Sequence, residues 1–244
     1  MHFFAEQFDS MKVAILSDLH ANKYAVRGVF DDLRNESIDR ILIAGDLIGY
    51  YYWPKDVVEL CMEDSRVTCI QGNHERNLLD ARTNHELRHK LTKKYGSGYE
   101  SCLFDLTTDQ LDWLKLLPQS LEIELDQKSF YLGHGALLDP DQYLYPDSCH
   151  DQIVSNYSAC DFTIFGHTHY SFVHSHENKT LLNPGSVGQP RDIGNLASYA
   201  IVDTSNSSLR FKKVRFDVEG IISQAQTRDP DLPYLQQVFL RGWS

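Results

Sequence analysis

The sequence predicts an α/β protein in which two mixed β-sheets pack as a sandwich with helices on both outer faces, giving four layers in the order α-β-β-α. Two features of the chain support this fold class. In the N-terminal half, short apolar runs alternate with helix-like stretches, which is typical of parallel strands joined by crossover helices. In the C-terminal half, segments of alternating polarity come in pairs separated by short turns, which is typical of antiparallel hairpins.

The N-terminal half contains three predicted strands and two predicted helices in alternation. We expect the strands at 12–17, 40–44 and 67–71, and the helices at 23–35 and 54–63. One face of the first helix is indicated by four apolar residues at helical spacing, Val26, Val29, Phe30 and Leu33. Pro54 favours the start of the second helix, because proline is well tolerated in the first turn.

Three hairpins are predicted in the C-terminal half. They pair 121–125 with 129–132, 172–175 with 180–182, and 199–203 with 209–216. Residues 84–120 are predicted to be helical and to form a small cap, and 217–242 is predicted to begin as a helix. Because no repeat or flexible linker divides the chain, we predict a single domain over 1–244, with 1–10 as an extension ahead of the first strand.

The composition excludes several classes of protein. The 244 residues include 23 Lys and Arg against 34 Asp and Glu, a formal net charge of −11, so strong binding to nucleic acid or to an anionic membrane is not expected. The longest apolar run is four residues, which is too short for a transmembrane helix. Residues 1–10 lack the basic start and apolar core of a secretory signal, and the five cysteines show no C-x-x-C spacing. We therefore expect a cytoplasmic protein with free thiols.

Five segments combine an apolar run with residue types that bind metals. The runs end in Asp18-Leu19-His20, Gly45-Asp46, Gly72-Asn73-His74, Gly133-His134 and Gly166-His167-Thr168-His169. Each segment alone is also typical of a turn, but the carboxyl ends of parallel strands meet in one crevice, so five together favour a shared site. Asp and His suit divalent Mn, Fe, Co, Zn or Ni. Asp18 and His20 reach the same side if their backbone is extended, and Asp46 is the natural bridge between two ions because it has two oxygens.

In this order, the segments resemble the motifs of the calcineurin-like metallophosphoesterases, D-x-H, G-D-x-x-[GD], G-N-H-[DE], G-H and G-H-x-H. Gly49 and Glu75 complete the second and third motifs. Residues 183–192 are similar to a subgroup of small prokaryotic phosphoesterases. The resemblance implies that one metal ion is bound by Asp18, His20, Asp46 and His169, and a second by Asp46, Asn73, His134 and His167.

The resemblance also implies a reaction. A hydroxide that bridges the two ions attacks phosphorus in line, and the ions stabilise the oxygens of the transition state. Asp46 and His74 are the implied catalytic residues, with His74 oriented by Asp46 and acting on the leaving oxygen. The expected activity is hydrolysis of phosphomonoesters or phosphodiesters, and the expected partner is a phosphorylated small molecule or a nucleotide.

The motifs constrain the substrate contacts less than the metal ligands. The protein Ser/Thr phosphatase branch carries an arginine after Gly-Asp that holds phosphate, and the corresponding stretch here, up to Tyr50, has none. Arg76 and Arg191 are candidate substitutes, and both are equally typical of a solvated surface. Tyr50 is a candidate wall of the cleft or stacking surface for a base, but a packed aromatic strap over 50–53 is slightly favoured. Tyr143 and Tyr145 invite the same two interpretations, a functional one and a packing one.

Three alternative functions are retained: a protein Ser/Thr phosphatase, a dinucleoside-polyphosphate hydrolase, and a non-catalytic scaffold of the same fold. The scaffold hypothesis is based on similarity to the retromer scaffold subunit, which lacks a complete active site. An enzyme is favoured because every ligand position and His74 are filled in this chain.

A sixth motif points to a different chemistry. His85, Glu86 and His89 match the zinc-protease pattern H-E-x-x-H. Arg88 introduces a charge inside that pattern, and no third ligand follows at a suitable distance. We predict that this segment is a solvated helix rather than a metal site.

Overall fold

The structure, a computed structural model, describes residues 10–242. The predicted N-terminal extension therefore lies outside the described residues, except for Ser10. The described chain forms two five-stranded sheets with helices around them.

The first sheet has the strand order β10-β9-β1-β2-β3. Its strands are β1 (Lys12–Leu16), β2 (Arg40–Ile43), β3 (Val67–Cys69), β9 (Leu196–Asp203) and β10 (Ser208–Arg215). Strands β1, β2 and β3 are parallel, whereas β9 is antiparallel to both β1 and β10. On β1, Ala14 lies opposite Ile41 on one side and Ile201 on the other. The last hairpin therefore completes the sheet that the N-terminal strands begin.

The second sheet has the strand order β4-β5-β6-β8-β7. Its strands are β4 (Leu121–Leu125), β5 (Lys128–Leu132), β6 (Phe162–Ile164), β7 (Ser171–His176) and β8 (Lys179–Pro184). Strands β5, β6 and β8 are parallel, and the two edge strands pair with them as antiparallel hairpins. Both sheets are thus mixed, which confirms the predicted fold class.

Helices connect the strands and cover the sheets. They are α1 (Lys23–Asn35), α2 (Pro54–Glu63), α3 (Asn73–Ala81), α4 (His85–Tyr95), α5 (Gly98–Asp105), α6 (Thr108–Leu116), α7 (His150–Val154), α8 (Glu219–Arg228) and α9 (Tyr234–Gln237), followed by a 3₁₀ turn, Val238–Leu240. Local sequence defines several starts: Asn22 accepts a hydrogen bond from the backbone N–H of Ala25, and Thr107 forms a capping box with Gln110. Helices α4, α5 and α6 occupy the segment predicted to be helical at 84–120.

Three apolar clusters fill the layers. The space between the sheets is filled by side chains from both of them, among them Val13, Ile15, Leu42, Phe130, Phe162, Ile164 and Leu182. A larger cluster joins the outer face of the first sheet to α1, α2 and the helices of 84–120. The outer face of the second sheet is covered more thinly, by Ile153 of the five-residue α7 and by loop side chains. The fourth layer is therefore much smaller than the first.

Two sequence expectations concern the whole chain. Over residues 10–242, no helix combines the length and the apolar character needed to cross a bilayer. In the same range the five cysteines are free, and Cys149 is the exposed one.

Candidate metal centre

The predicted metal-ligand residues meet at the carboxyl ends of the parallel strands of both sheets. Asp18 and His20 follow β1, and Asp46 follows β2. Asn73 and His74 begin α3, directly after β3. His134 follows β5, and His167 and His169 follow β6. All of these side chains except Asn73 are buried, so the fold has removed several titratable groups from water at one place.

One group of donors consists of Asp18, His20 and His169. His20 Nε2 lies 3.0 Å from His169 Nε2 and 3.7 Å from an oxygen of Asp18, and His169 Nε2 lies 3.4 Å from that oxygen. Three potential metal-binding atoms thus converge within ligand range of one ion.

A second group consists of Asp46, Asn73, His134 and His167. His134 Nε2 lies 3.1 Å from Asp46 Oδ2, 3.0 Å from Asn73 Oδ1 and 3.2 Å from His167 Nδ1. Asn73 Oδ1 and Asp46 Oδ2 thereby face the same ring nitrogen, His134 Nε2. The predicted second ligand set is brought together in this group.

Asp46 connects the two groups. Its Oδ2 atom lies 3.1 Å from His134 Nε2 and 3.9 Å from His20 Nε2. Its Oδ1 atom accepts a hydrogen bond from the backbone N–H of His74 at 2.9 Å. A single oxygen of Asp46 therefore faces both groups, and the other oxygen is bonded to α3.

Backbone carbonyls fix the orientation of the four ligand rings. His20 Nδ1 lies 3.2 Å from the Ile48 carbonyl, and His169 Nδ1 lies 2.9 Å from the Gln189 carbonyl. In the second group, the second nitrogens of His134 and His167 face the carbonyls of Ala44 (2.7 Å) and Asp141 (3.2 Å). Because a carbonyl only accepts, each outer nitrogen carries the proton, and a neutral ring then turns its lone pair inward.

The pair of His20 and His169 tests whether a cation fits. Burial lowers the pKa of both rings well below the usual value for histidine, so both are neutral at neutral pH. Their protons are on the outer nitrogens, so two lone pairs face each other across 3.0 Å with no hydrogen between them. A bound cation between these nitrogens and Asp18 removes that repulsion. The residues present therefore fit a divalent metal.

Asp46 and His134 form the strongest charge pair of the site. Burial opposes charge on both groups, but their mutual attraction outweighs it. The pKa of Asp46 is held well below its usual value, chiefly by His134, and the Asp46 carboxylate raises the pKa of His134 to about 9. A metal ion in the second group therefore competes with a proton on His134.

The ligands adopt an unusual backbone conformation. Positive φ angles occur at Asp18 (55°), His20 (49°), Asp46 (55°), His167 (67°) and His169 (66°). The condition under which Asp18 and His20 would reach the same side, an extended backbone, is therefore not met. Left-handed residues other than glycine cost roughly 1–3 kcal/mol each and cluster at functional sites. The fold thus holds these residues in a backbone conformation that residues other than glycine disfavour.

Glu75, which completes the third motif, ties the strand ends together. Its buried carboxylate accepts hydrogen bonds from the backbone N–H groups of Gly72 (2.7 Å), Asp46 (3.0 Å), Leu47 (2.9 Å) and Ile48 (3.2 Å). Burial and the Asp46 charge raise the pKa of Glu75 to about 7, and the N–H donors limit the rise. Glu75 therefore fixes the start of α3 against the loop that carries Asp46.

His74 is held differently from the ligand rings. Its Nδ1 lies 2.8 Å from the hydroxyl of Tyr99, and its Nε2 lies 4.0 Å from Asp46 Oδ2. The latter distance is too long for a hydrogen bond, so the expected orientation of His74 by the Asp46 side chain is replaced by a contact with Tyr99. Burial lowers the pKa of His74 to about 4 against the opposing charge of Asp46, which makes the ring neutral.

Two clefts border the centre. One, of about 370 Å³, is lined by Asn73, Arg76, Asn77, Asp80, Tyr95, Asp141, Tyr143 and His167. The other, of about 350 Å³, is lined by Tyr50, Tyr145, Tyr170, Gln189, Arg191, Tyr234, Val238 and Arg241. All three candidate substrate residues, Arg76, Arg191 and Tyr50, therefore lie on cleft walls.

These three candidates differ in what they offer. Arg76 pairs with Asp141, but its Nη1 atom is buried without a hydrogen-bond partner among residues 10–242. Tyr50 is buried edge-on against His20, with ring centroids 4.6 Å apart. Burial is the main cause of the lowered pKa of His169, and the positive charge of Arg191 is the next largest cause. The charge of Arg191 therefore acts on the centre.

The H-E-x-x-H segment does not take part. His85, Glu86 and His89 lie exposed on α4, and Glu86 forms an ion pair with Lys90 at 2.7 Å. In the described chain these residues belong to none of the groups of closely spaced metal-binding side chains.

Two features of the site were not predicted from the sequence. Tyr99 lies in the helical segment 84–120 and carries no motif spacing, so no signal in a single sequence marks it. The contacts of residues 183–192 were not predicted either: Ser186 donates a hydrogen bond to the Asp18 carbonyl, and the Gln189 carbonyl accepts one from His169. The Asn-Pro-Gly turn at the start of that segment was a usable signal for a loop packed on the site.

Two sequence comparisons give matches that extend over most of this chain. The sequence profile described as the calcineurin-like phosphoesterase superfamily domain matches residues 11–207. An uncharacterized protein from Methanocaldococcus jannaschii is 32% identical over 229 residues, which is 85% of this chain and 88% of that protein.

Solved structures share the fold. A hypothetical protein from Pyrococcus horikoshii superposes with a TM-score of 0.82 at 19% identity, covering 94% of this chain and 97% of the other. A metallophosphoesterase from Sphaerobacter thermophilus gives a TM-score of 0.76 at 24% identity, and the match covers 93% of this chain and 98% of the other. With the profile match extending over most of the sequence and the motif residues gathered at one rim, the chain belongs to the calcineurin-like phosphoesterase superfamily.

Proposed function

We propose that this chain is a phosphoesterase that depends on two divalent metal ions and hydrolyses phosphomonoesters or phosphodiesters. The proposal is carried by the position of Asp46 Oδ2, which lies 3.1 Å from His134 Nε2 and 3.9 Å from His20 Nε2. One carboxylate oxygen then lies near both groups of donors, an arrangement that suits a dinuclear site. The mixture of carboxylate, imidazole and amide donors suits Mn, Fe, Co, Zn or Ni.

The two groups of donors define the proposed ligand sets. The first ion is bound by Asp18, His20, Asp46 and His169, and the second by Asp46, Asn73, His134 and His167. When bound, the two ions activate a water molecule for attack on phosphorus and neutralise charge on the phosphoryl oxygens. Hydrogen bonds from the outward-facing ring nitrogens to backbone carbonyls keep the histidine rings oriented before the ions bind. Less side-chain entropy is therefore lost when the ions bind.

The remaining polar groups act on the substrate. His74 is neutral, and its Nε2 atom faces the centre, so this atom donates a hydrogen bond to the leaving oxygen and stabilises the charge that develops there. Arg76 Nη1, which has no partner among the described residues, and the Arg191 guanidinium contact the phosphoryl oxygens. Tyr50 packs against His20 and closes one wall.

The two clefts favour a diester over a monoester. The first cleft reaches the second ligand group through Asn73 and His167. The other cleft reaches the first group through Gln189, whose carbonyl holds His169, and through Tyr50. A phosphoryl group at the centre therefore has room for one substituent on each side.

Aromatic rings on both cleft walls favour planar substituents. Tyr143 stacks on His167 with centroids 4.0 Å apart, and Tyr145 is parallel to Tyr143 at 5.8 Å. Tyrosine rings at a binding surface stack on nucleobases. A nucleotide diester or a dinucleoside polyphosphate is therefore the second candidate substrate.

A substrate panel tests the proposal. The purified chain is stripped with a chelator, reloaded with Mn²⁺, and assayed on p-nitrophenyl phosphate, bis(p-nitrophenyl) phosphate, a diadenosine polyphosphate and a phosphoserine peptide. We expect metal-dependent hydrolysis, with kcat/KM about tenfold or more higher on the diester than on the monoester, a difference of about 1.4 kcal/mol. The chelated protein without added metal is the control.

Each outcome of this panel has a separate meaning. No metal-dependent hydrolysis of any substrate would contradict the proposed activity and favour the scaffold hypothesis. Hydrolysis of the monoester alone would leave the metal chemistry in place but contradict the role of the two clefts. Selective hydrolysis of the phosphoserine peptide would favour a protein phosphatase.

A further inference from the structure

The segment 84–120 contributes two side chains to the neighbourhood of the metal centre: Tyr95 lines one cleft, and Tyr99 forms a hydrogen bond with His74. Tyr99, on α5 (Gly98–Asp105), places its hydroxyl 2.8 Å from His74 Nδ1. The two rings are stacked, with centroids 5.6 Å apart and an interplanar angle of 27°. Both residues are buried, Tyr99 at 1% exposure and His74 at 2%, so water does not compete for this hydrogen bond.

The direction of the hydrogen bond follows from the partners available. Among residues 10–242, His74 Nδ1 is the one hydrogen-bond partner found for the Tyr99 hydroxyl. If the hydroxyl accepted from Nδ1, its own buried proton would be left without a hydrogen-bond partner, which is unfavourable. The hydroxyl therefore donates and Nδ1 accepts. Burial raises the pKa of Tyr99 well above its usual value, so the donor proton is retained.

This direction determines the tautomer of His74. With Nδ1 as acceptor, the ring carries its proton on Nε2, the nitrogen that faces the centre. A protonated nitrogen does not bind a metal. His74 therefore stays a donor toward the substrate, although its ring lies close enough to His20 and Asp46 to form a third candidate metal-binding group.

The backbone around Tyr99 fixes its position. A Cβ atom at Gly98 would lie 2.6 Å from the carbonyl oxygen of Tyr50, so α5 begins in direct contact with the loop after Asp46. Gly49, with φ of 83°, would place a Cβ 2.1 Å from His74 Nδ1. Both glycines are thus needed for Tyr99 and His74 to meet.

We propose that Tyr99 is a positioning residue for the phosphoesterase reaction: its hydroxyl holds His74 in the orientation and tautomer in which Nε2–H faces the leaving oxygen. The inference rests on the proposed function for its catalytic consequence. It also gives the helical segment 84–120 a role, because that segment supplies the residue.

The first test is Tyr99→Phe, which removes the hydroxyl and keeps the ring. We expect kcat to fall by about 10- to 100-fold, as is typical when a supporting partner is lost, while bound metal and KM stay near the wild-type values. The loss is expected to be larger on an alkyl ester than on a nitrophenyl ester, since a nitrophenolate needs less stabilisation. Tyr199→Phe is the matched control: Tyr199 is also buried with its hydroxyl bonded, at 2.7 Å from Asp32, but it lies in the first sheet outside the two clefts.

A double-mutant cycle separates positioning from packing. In a His74→Ala background, Tyr99→Phe is expected to cause no further loss of kcat, because the group it positions is gone. A residue that merely supports the fold would lower activity equally in both backgrounds. An unchanged loss in the double mutant would therefore overturn the proposal.

The tautomer is measured independently of activity. Long-range ¹H–¹⁵N spectra of the zinc-loaded protein, with His74 assigned by its absence in His74→Ala, are expected to show the Nε2–H form in the wild type and a mixture in Tyr99→Phe. An Nδ1–H form in the wild type would overturn the proposal. Failure of the proposed function would appear separately, as a wild type without phosphoesterase activity whose His74 still shows the Nε2–H form.

Discussion

At the scale of single residues, the outward-facing nitrogens of the histidines determine what the inward-facing atoms can do. His20 is held by the Ile48 carbonyl, His134 by the Ala44 carbonyl and His169 by the Gln189 carbonyl. Since these rings donate outward, each presents a lone pair to the centre when it is neutral, which for His134 requires loss of the proton that Asp46 favours. His74 instead accepts from Tyr99 and presents a proton. In the proposed function, side chains of one chemical type are thereby divided into metal ligands and a substrate donor.

The sequence predicts which residue types meet but not how each is oriented. The motifs specify the residue types, so Asp18, Asp46 and the histidines could be identified from the sequence as candidate ligands. The tautomers depend on carbonyls distant in the chain, such as Ala44, 90 positions from His134. Asp18 and His20 have positive φ angles, which residues other than glycine rarely adopt, so residue types alone do not predict this conformation.

His74→Ala tests the division of roles among the histidines. We expect both metal ions to be retained and kcat to fall by about 10²- to 10³-fold, the usual effect of losing one donor to a developing oxyanion. The fall is expected to be larger on an alkyl ester than on an aryl ester with a good leaving group. The measurements are kcat/KM on both esters and metal content on the same samples. Loss of one ion would instead make His74 a ligand.

At the scale of elements, close backbone approach brings the strand ends into register. Gly72, at the start of α3, lies so near the loop after β2 that a Cβ there would be 2.1 Å from Asp46 Oδ1. The same contact allows Asp46 Oδ1 to accept the His74 N–H and Glu75 to bind the Gly72 N–H. The Gly-Asn-His-Glu motif thus builds the junction of two elements as well as supplying Asn73, a proposed ligand.

The element boundaries were predicted well where local signals are strong. Helix α1 (Lys23–Asn35) and helix α2 (Pro54–Glu63) match the expected ranges, because an amphipathic face and a proline start mark them. Helix α7 (His150–Val154) was not predicted, since five residues without an apolar repeat give no periodic signal. Short elements of this kind are defined by tertiary contacts, here Ile153 against Phe165 and Leu181.

Gly72→Ala tests the junction between α3 and the loop after β2. The added methyl group displaces the Asp46 carboxylate, so we expect a loss of about 1–3 kcal/mol in the free energy of unfolding and weaker metal binding. Gly28→Ala is the matched control, because a Cβ in α1 meets nothing closer than 3.7 Å and alanine stabilises a helix by about 0.5–1 kcal/mol. The measurements are the free energy of unfolding in denaturant and the metal affinity of both variants. Equal stability and equal metal affinity of the two variants would contradict the proposed junction.

At the scale of the whole molecule, the site exists because two sheets end at the same rim. The first sheet supplies Asp18, His20 and Asp46, and the second supplies His134, His167 and His169. The inter-sheet cluster around Phe130 and Ile164 holds the two halves together. Neither sheet alone carries a complete ligand set, so metal binding is coupled to the packing of the sandwich.

The fold class was predictable, but the partition of strands between sheets was not. Alternation in the N-terminal half and hairpins in the C-terminal half indicated two mixed sheets. The hairpin of β9 (Leu196–Asp203) and β10 (Ser208–Arg215) joins the first sheet beside β1 (Lys12–Leu16). That pairing joins segments about 190 residues apart, as in Lys12 opposite Asp203, and nothing in local periodicity specifies it.

The central claim is a site for two metal ions bridged by Asp46, and calorimetric titration of the metal-free protein with Mn²⁺ tests it most directly. The three samples are the wild type, Asp46→Ala, and a control in which the exposed His85 and His89 are both replaced by alanine. We expect two ions per chain in the wild type and in the control, and weakened binding at both sites in Asp46→Ala. One ion or none in the wild type, or two ions bound with unchanged affinity by Asp46→Ala, would contradict the bridged two-metal site.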